Sequence, residues 1–344
     1  MANPTPKKIL VVRNDKLGDF MLSFPAFALL KSSLPASHVY ALVPEYTRDM
    51  AEACNWIDEV LVDKCQNQGL VANGELLRLF KQHRFDAIIT LYSTTRIGVC
   101  AFAARIPYRL APATKLAQLF YNHRLKQRRS RSEKPEHAYN SDLVIQFCRD
   151  NDIEISNPPI PPLLQFEPAT ISRLRVDFCK QHKISPHHLL IFIHPGSGGS
   201  ARNLSTEQYA DLARQLSSTA GHVIIISAGP GEYDNAHQLA GLLPYTPHVV
   251  YESRAGLKQF AEHIQLADLF LGGSTGPIHV AGALDRPTVA FYPRRRSATS
   301  LRWQTLNSPE RRLAFSPPEE ADEEDMSKID MAKTAKLISE YYLK

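Results

Sequence analysis

Leu271-Gly-Gly-Ser-Thr-Gly-Pro-Ile-His-Val-Ala-Gly-Ala-Leu284 is the stretch that decides the fold class of this chain. The apolar run ahead of it, Ala267 to Leu271, reads as a short buried strand. Gly272-Gly273 breaks that run, and a helix opens at Pro277, with Ile278, Ala281 and Leu284 at helical spacing. Proline suits a first helical position, where its missing N–H would have had no partner. After Asp285-Arg286-Pro287 a second strand runs from Thr288 to Tyr292. Strand, glycine loop, helix and strand in that order mark a parallel sheet. Backbone N–H groups and the dipole at such a helix start suit a phosphate, so Ser274, Thr275 and Gly276 are candidates to cradle a diphosphate. A plain strand-to-helix turn would use the same residues.

Working outward, the same alternation appears twice. Ile9 to Val12, His38 to Val43, Glu59 to Val62 and Phe85 to Leu91 read as strands, with helices between them such as Glu75 to His83. Phe20 to Leu30 reads as a helix that Pro25 either kinks or starts. Asn140 to Arg149 is a further helix. Ser156-Asn-Pro-Pro-Ile-Pro-Pro162 is the richest proline cluster and the expected linker. The pattern then restarts with strands at Leu189 to Ile193, Val223 to Ile226 and His248 to Tyr251. Helices are expected at Thr206 to Leu216 with Ser205 as N-cap, near Asn235 to Leu242, at Leu257 to Ala267 and at Lys328 to Leu343. The expected domains are 1–160, 161–325 and a terminal helix within 326–344 that packs back across both.

At 344 residues the chain is long enough for two domains. With 44% hydrophobic and 22% charged residues it has the composition of an ordinary globular protein. No run of about 20 apolar residues offers a membrane span. The opening residues do not form a secretory signal. Five scattered cysteines (54, 65, 100, 148 and 179), with no C-x-x-C pair, point to reduced thiols in the cytoplasm. A net charge of +5 favours an anionic partner: nucleic acid, an anionic membrane face or a phosphorylated substrate.

Four loops at strand ends carry the candidate chemistry, and ligands of doubly wound sheets sit at such ends. The first strand runs into Arg13-Asn-Asp-Lys-Leu-Gly-Asp19. There is no G-x-G-x-x-G there, which argues against a nicotinamide or flavin site. Asp19 is either a helix-capping acid or a general base. His194-Pro-Gly-Ser-Gly-Gly-Ser-Ala-Arg202 offers small residues for close approach to a ligand and a cation for a phosphate. Gly229-Pro-Gly-Glu232 places an acid where it could accept hydrogen bonds from ribose hydroxyls. The segment 115–134 carries seven Lys or Arg residues against the single acid Glu133, either as a solvated loop or as a surface for an anionic acceptor or leaflet. Asp150-Asn-Asp152 reads as a helix-exit turn rather than a metal motif.

Gly-x-Thr-Gly-Pro-x-His-x-Ala-x-Ala-Leu at 273–284 and Ile-Leu-Val-Val-Arg-x-x-x-Leu-Gly-Asp at 9–19 resemble the two end signatures of the heptosyltransferase family of glycosyltransferases. The resemblance runs from residue 9 to about 293. It implies an α/β fold of GT-B type, with two Rossmann-like doubly wound domains facing a central cleft, acceptor in the first and donor in the second. It further implies inverting, metal-independent transfer of a heptose from ADP-heptose to a lipopolysaccharide core acceptor. No cofactor is implied. Asp19 is the implied base. Ser197, Arg202, Glu232, Ser274, Thr275, Gly276, Pro277 and His279 fall at donor positions. Arg13, Lys16, Gly18, Arg124, Lys126, Arg128 and His137 fall on the acceptor side.

Two departures stand out. Leu204-Ser205 replaces a frequent Trp-Pro, and Ser274 replaces a frequent Asp, which brings no charge to the sugar. The implied partners are a nucleotide-sugar donor and an anionic glycolipid at the cytoplasmic face of the inner membrane, with no nucleic acid. The competing classes are the same transfer with another sugar nucleotide, a silent nucleotide-sugar sensor, and a nucleic-acid binder.

Overall fold

A computed structural model describes residues 5–64, 69–114, 116–196, 199, 202–219 and 221–343. The chain divides into two compact units, Met1–Arg129 with Glu133–Ile160, and Pro161–Lys344 with Ser130–Ser132. The expected linker straddles that division.

The first unit runs β1 (Lys8–Val12), α1 (Leu17–Met21), α2 (Phe24–Ser33), β2 (His38–Val43), α3 (Arg48–Glu52), β3 (Glu59–Val62), α4 (Gly69–His83), β4 (Ala87–Thr90), α5 (Thr95–Ala103), β5 (Tyr108–Pro112), β6 (His123–Leu125) and α6 (Glu136–Asp150). Its sheet has the order β3-β2-β1-β4-β5-β6, parallel throughout. β1 lies in the middle, and Ile9 to Val12 are fully buried, which is why the strand is apolar on both faces. Leu10 and Val12 pack on one side with Phe80, Phe85 and Ile97. α2 packs against α6. Pro25 does not kink a long helix. Two helices occupy the stretch, and Pro25 is the second residue of α2, where no intrahelical bond is lost.

The second unit runs α7 (Pro168–Gln181), β7 (Leu189–His194), α8 (Thr206–Leu216), β8 (His222–Ala228), α9 (Tyr233–Gly241), β9 (His248–Glu252), α10 (Leu257–Ile264), β10 (Leu269–Gly273), α11 (Gly276–Ala283), β11 (Thr288–Phe291), β12 (Arg312–Phe315) and α12 (Met331–Tyr342). Its order, β12-β11-β10-β7-β8-β9, is the same topology with β7 in the central place. Ser205 caps α8 in a reciprocal box with Gln208. Gly272 and Gly273 do not break the strand; they are its last residues. The terminal helix, expected to cross both domains, packs on α8 and adds Met331, Ala335 and Ile338 to the core of the second unit.

Glycines inside helices separate packing from propensity. A Cβ on Gly282 of α11 would lie 2.7 Å from Thr305 Cβ and 2.9 Å from Leu306 N, whereas one on exposed Gly74 of α4 would meet nothing within 4 Å. Gly74→Ala is expected to stabilise by up to about 1 kcal/mol and Gly282→Ala to destabilise by about 1–3 kcal/mol. Opposite shifts in urea midpoint would confirm both.

Candidate functional site

Arg13 follows β1 and is still tied into the sheet by its N–H to Leu42 O at 3.2 Å. Its side chain is 2% exposed, so a full positive charge sits inside the first unit. Three carboxylates surround it. Nε donates to Asp15 Oδ1 at 2.8 Å, Nη1 to Glu136 Oε1 at 3.0 Å, and Nη2 to Asp19 Oδ1. Nη1 also reaches Asn140 Oδ1 at 3.2 Å. Burial opposes the guanidinium charge, but Asp15, Asp19 and Glu136 outweigh it and push its pKa up. Arg13, expected among the acceptor-side residues, is the buried hub on which the loop is built.

Glu136 and Asn140 lie one turn apart at the start of α6, on a face otherwise made of Tyr139, Leu143 and Val144. Glu136 Oε1 also accepts from Arg129 Nη1 at 2.7 Å. Asn140 Nδ2 donates to Leu22 O at 3.0 Å, which pins α6 beside the end of α1. None of Asp15, Glu136, Asn140 or Arg129 was picked out as a site residue from sequence. The available signal was the i,i+4 pair of polar residues on an apolar helix face.

Asp19 is 18% exposed, in the first turn of α1, where its Oδ1 accepts from the Arg13 guanidinium. Burial raises its carboxyl to about 6; Arg13 opposes this, and Asp15 and Glu136 add to it. Burial is the largest cause and outweighs the ion pair, and the Asp15 and Glu136 carboxylates around the same guanidinium add their repulsion. Two exposed tyrosines flank the cluster. Tyr46 Oη donates to Asp15 O at 2.6 Å, and the Tyr92 ring lies 5.9 Å from the Arg13 guanidinium carbon. Lys16 is exposed beside them and Gly18 lies within α1.

The basic stretch is divided by the fold. Lys126 and Arg128 line one cavity of about 410 Å³ with Glu133, Lys134 and Arg149. Arg124 is exposed on β6, and His137 is half-buried on α6; neither is among the residues lining that cavity.

In the second unit, His194 ends β7 with its ring buried. Nδ1 lies 3.2 Å from Ser227 Oγ, and Nε2 lies 3.3 Å from Glu232 Oε2. Glu232 also accepts from Gly229 N at 2.9 Å. Burial works against its charge, but the His194 contact and the Gly229 N–H hold the carboxyl below the usual range. Glu232 lies close against Gly196, where a Cβ would sit 2.2 Å from Glu232 Oε1 and would push the carboxylate aside. A Cβ on Gly273 would likewise lie 2.5 Å from Asn203 Oδ1, which takes hydrogen bonds from Tyr209 Oη at 2.7 Å and Leu204 N at 2.9 Å. Asn203 thus locks the 203–205 segment against the end of β10.

The start of α11 holds two buried polar atoms with no hydrogen-bond partner in the structure, Thr275 Oγ1 and His279 Nδ1. Thr275 is the N-cap residue of α11, and His279 lies four residues on within the helix. Burial drives the His279 pKa down to about 4, so the ring is neutral at pH 7 and one ring nitrogen can accept a hydrogen bond. The Thr275 N–H, expected in the phosphate cradle, is instead taken by Gly273 O at 2.8 Å. Ser274, Gly276 and Pro277 are half-buried around it. Ser197 lies outside the described residues. Arg202 is exposed and lines a cavity of about 430 Å³ with Asp322, Glu324 and Asp325, acids that compete with a phosphate for its charge. No group of three or more His, Cys, Asp or Glu residues with metal-binding arrangement occurs among the described residues.

Residues 74–317 match glycosyltransferase family 9 (heptosyltransferase). A candidate glycosyltransferase of Haemophilus influenzae is 43% identical over 98% of this chain and 96% of its own length. Lipopolysaccharide heptosyltransferase 2 of Salmonella typhimurium is 24% identical over 83% of this chain and 82% of its own. Among solved structures, Escherichia coli ADP-heptose lps heptosyltransferase II superposes with a TM-score of 0.79 at 18% identity, covering 98% of both chains. E. coli heptosyltransferase WaaC with ADP gives 0.70 at 16% identity over 97% of this chain and 99% of its own. The GT-B expectation for the fold thus holds.

The repulsion between the carboxylates around Arg13 gives a signed prediction. Removing a repelling carboxylate with Glu136→Gln lowers the Asp19 pKa, while removing a cation with Arg129→Gln raises it. A carbon NMR titration of the Asp19 carboxyl should show shifts of about half a unit or more in these opposite directions.

Proposed function

Because this chain belongs to glycosyltransferase family 9, the heptosyltransferase family, we propose that it moves a heptose from ADP-heptose to an anionic lipopolysaccharide core acceptor, by single displacement with inversion. Asp19 removes the proton from the acceptor hydroxyl. That oxygen attacks the anomeric carbon, and the ADP diphosphate leaves. The observation that carries this reading is the Asp19 carboxyl in the first turn of α1, bonded to the buried Arg13 that follows the central strand of its sheet, with burial raising its pKa to about 6. At pH 7.5 it is mostly ionised, yet basic enough to take a proton as the bond forms. Tyr46 and Tyr92 offer exposed ring faces beside it for the acceptor sugar.

Donor binding falls to the second unit. Thr275 Oγ1 and His279 Nδ1 are placed to complete their hydrogen bonds on the nucleotide sugar, and Glu232 on the ribose hydroxyls. The first turn of α11 and Arg202 are assigned to the departing diphosphate, whose growing charge a fixed dipole stabilises. The acceptor side is assigned to Lys16, Lys126, Arg128, Arg124 and His137, with Gly18 allowing close approach. Enzyme action at the cytoplasmic face of the inner membrane, by peripheral contact, belongs to this proposal. No helix among the described residues is long and apolar enough to cross a membrane.

One observation favours a second donor. Ser274 stands where many members carry an acid, so a sugar with a different hydroxyl pattern fits this position. A turnover screen of several ADP- and UDP-sugars decides between them, the fastest donor identifying the natural class.

Asp19→Asn is expected to lower kcat by at least about 10³-fold while ADP binding, measured by calorimetry, stays within about twofold. Near-normal turnover would reject the base assignment. The pH dependence has a defined sign, since the active form is the carboxylate. Wild-type kcat/KM should be flat above pH 7 and fall about tenfold per unit below about pH 6, as Asp19 takes up a proton. The variant Glu136→Gln should carry the acid limb to lower pH.

A further inference from the structure

From Ala87 to Ser132 the chain contains nine Lys or Arg residues and no Asp or Glu. With 35 acids in 344 residues, an average span of that length would hold between four and five. This segment forms β4, α5, β5, the turn 116–120 and β6 of the first unit.

Its large apolar side chains face water. Leu116 is 76% exposed, Leu119 70%, Phe102 57% and Val99 39%. The exposure is built in, because the turn is firmly anchored. Ala117 and Tyr121 are buried beneath it. A Cβ on Gly98 of α5 would lie only 3.0 Å from the Tyr121 ring and 3.1 Å from Phe120 Cβ, so helix and turn are in close contact. The Phe102 and Phe120 rings meet edge-on at 6.3 Å. Cations are interleaved with them. The Arg109 guanidinium carbon lies 5.5 Å from the Phe102 ring centroid, and Arg109 Nε donates to Phe120 O at 2.9 Å. Arg105 is exposed just beyond α5. A fixed apolar ridge among cations, with no acid in the segment, has the chemistry of an interfacial membrane contact.

We propose that the face made by α5 and the 116–120 turn docks the first unit on an anionic lipid surface. Val99, Phe102, Leu116 and Leu119 enter the headgroup layer, and Arg105 and neighbouring cations meet lipid phosphates. A second copy of the chain is a poorer occupant, since a symmetric contact would set Arg105 and Arg109 of one copy against those of the other. The inference names the surface behind the peripheral contact proposed above and rests on that reading for its biological setting. Docking itself requires neither donor nor acceptor.

The test is co-sedimentation of the full chain with vesicles of phosphatidylcholine alone or with added phosphatidylglycerol, at low and high salt. Wild type should pellet only with the anionic vesicles, and less so at high salt. The double variant Phe102→Ser/Leu116→Ser should lose about tenfold in partitioning. It should keep its circular dichroism and its turnover of a delipidated acceptor. Absence of wild-type binding to anionic vesicles overturns the proposal. So does a double variant that binds as well as wild type, which would assign the attraction to cations elsewhere. A wild-type dimer that the variant abolishes, without vesicle binding, would identify a second copy as the occupant and also overturn it. An active Asp19→Asn enzyme would sink the catalytic reading and leave this surface untouched, so the two failures are distinguishable.

Discussion

A guanidinium buried at the end of the first strand is the constraint on which the first unit depends. A buried charge costs several kcal/mol unless it is paired and hydrogen-bonded. Arg13 meets that demand with Asp15, Asp19, Glu136 and Asn140, drawn from the loop after β1, the first turn of α1 and the start of α6. The same contacts decide where Asp19 stands and how basic it is. A lone exposed ion pair would hold the carboxylate strongly acidic; burial, with the repulsion of the two further acids around the guanidinium, prevents that. The arrangement that compensates the buried arginine thereby leaves a carboxyl whose pKa lies near 6.

The second unit meets a different demand. The loops after β7, β8 and β10 contain few charges and make close backbone approaches. Gly196 lets Glu232 lie against the strand end, and Gly273 does the same for Asn203. These contacts fix polar groups around the end of the sheet while Thr275 Oγ1 and His279 Nδ1 stay unpaired. Leaving buried polar atoms unsatisfied is costly in a core, and it makes sense where a ligand completes the set.

Much of the fold was legible because its central strands are apolar on both faces and short polar loops punctuate them. β2, β3 and α8 were placed to the residue, and Ser205 caps as its position suggested. Edge elements were not legible. β6 has three residues, none buried, and β12 is half-exposed with an arginine at its start, so neither shows the apolar run that marked β1. Gly272-Gly273 misled because glycine normally weakens a strand; here the strand needs the space for Asn203. At the site, loop positions and acids were visible from motifs. The engagement of Arg13 was not, because it depends on Glu136 and Asn140, 123 and 127 residues away in sequence. The terminal helix was likewise legible as a helix, but its partner, α8, could not be read from its own stripe.

That separation has a consequence for the nascent chain. β1 and the Asp19 loop leave the ribosome first, yet their counter-charge lies on α6, the last helix of the unit, and β1 must await β4 for its second neighbour. Until α6 has emerged, Arg13 lacks the contacts of Glu136 and Asn140. A partly synthesised chain therefore carries the loop after β1 without the partners that hold it in the finished unit.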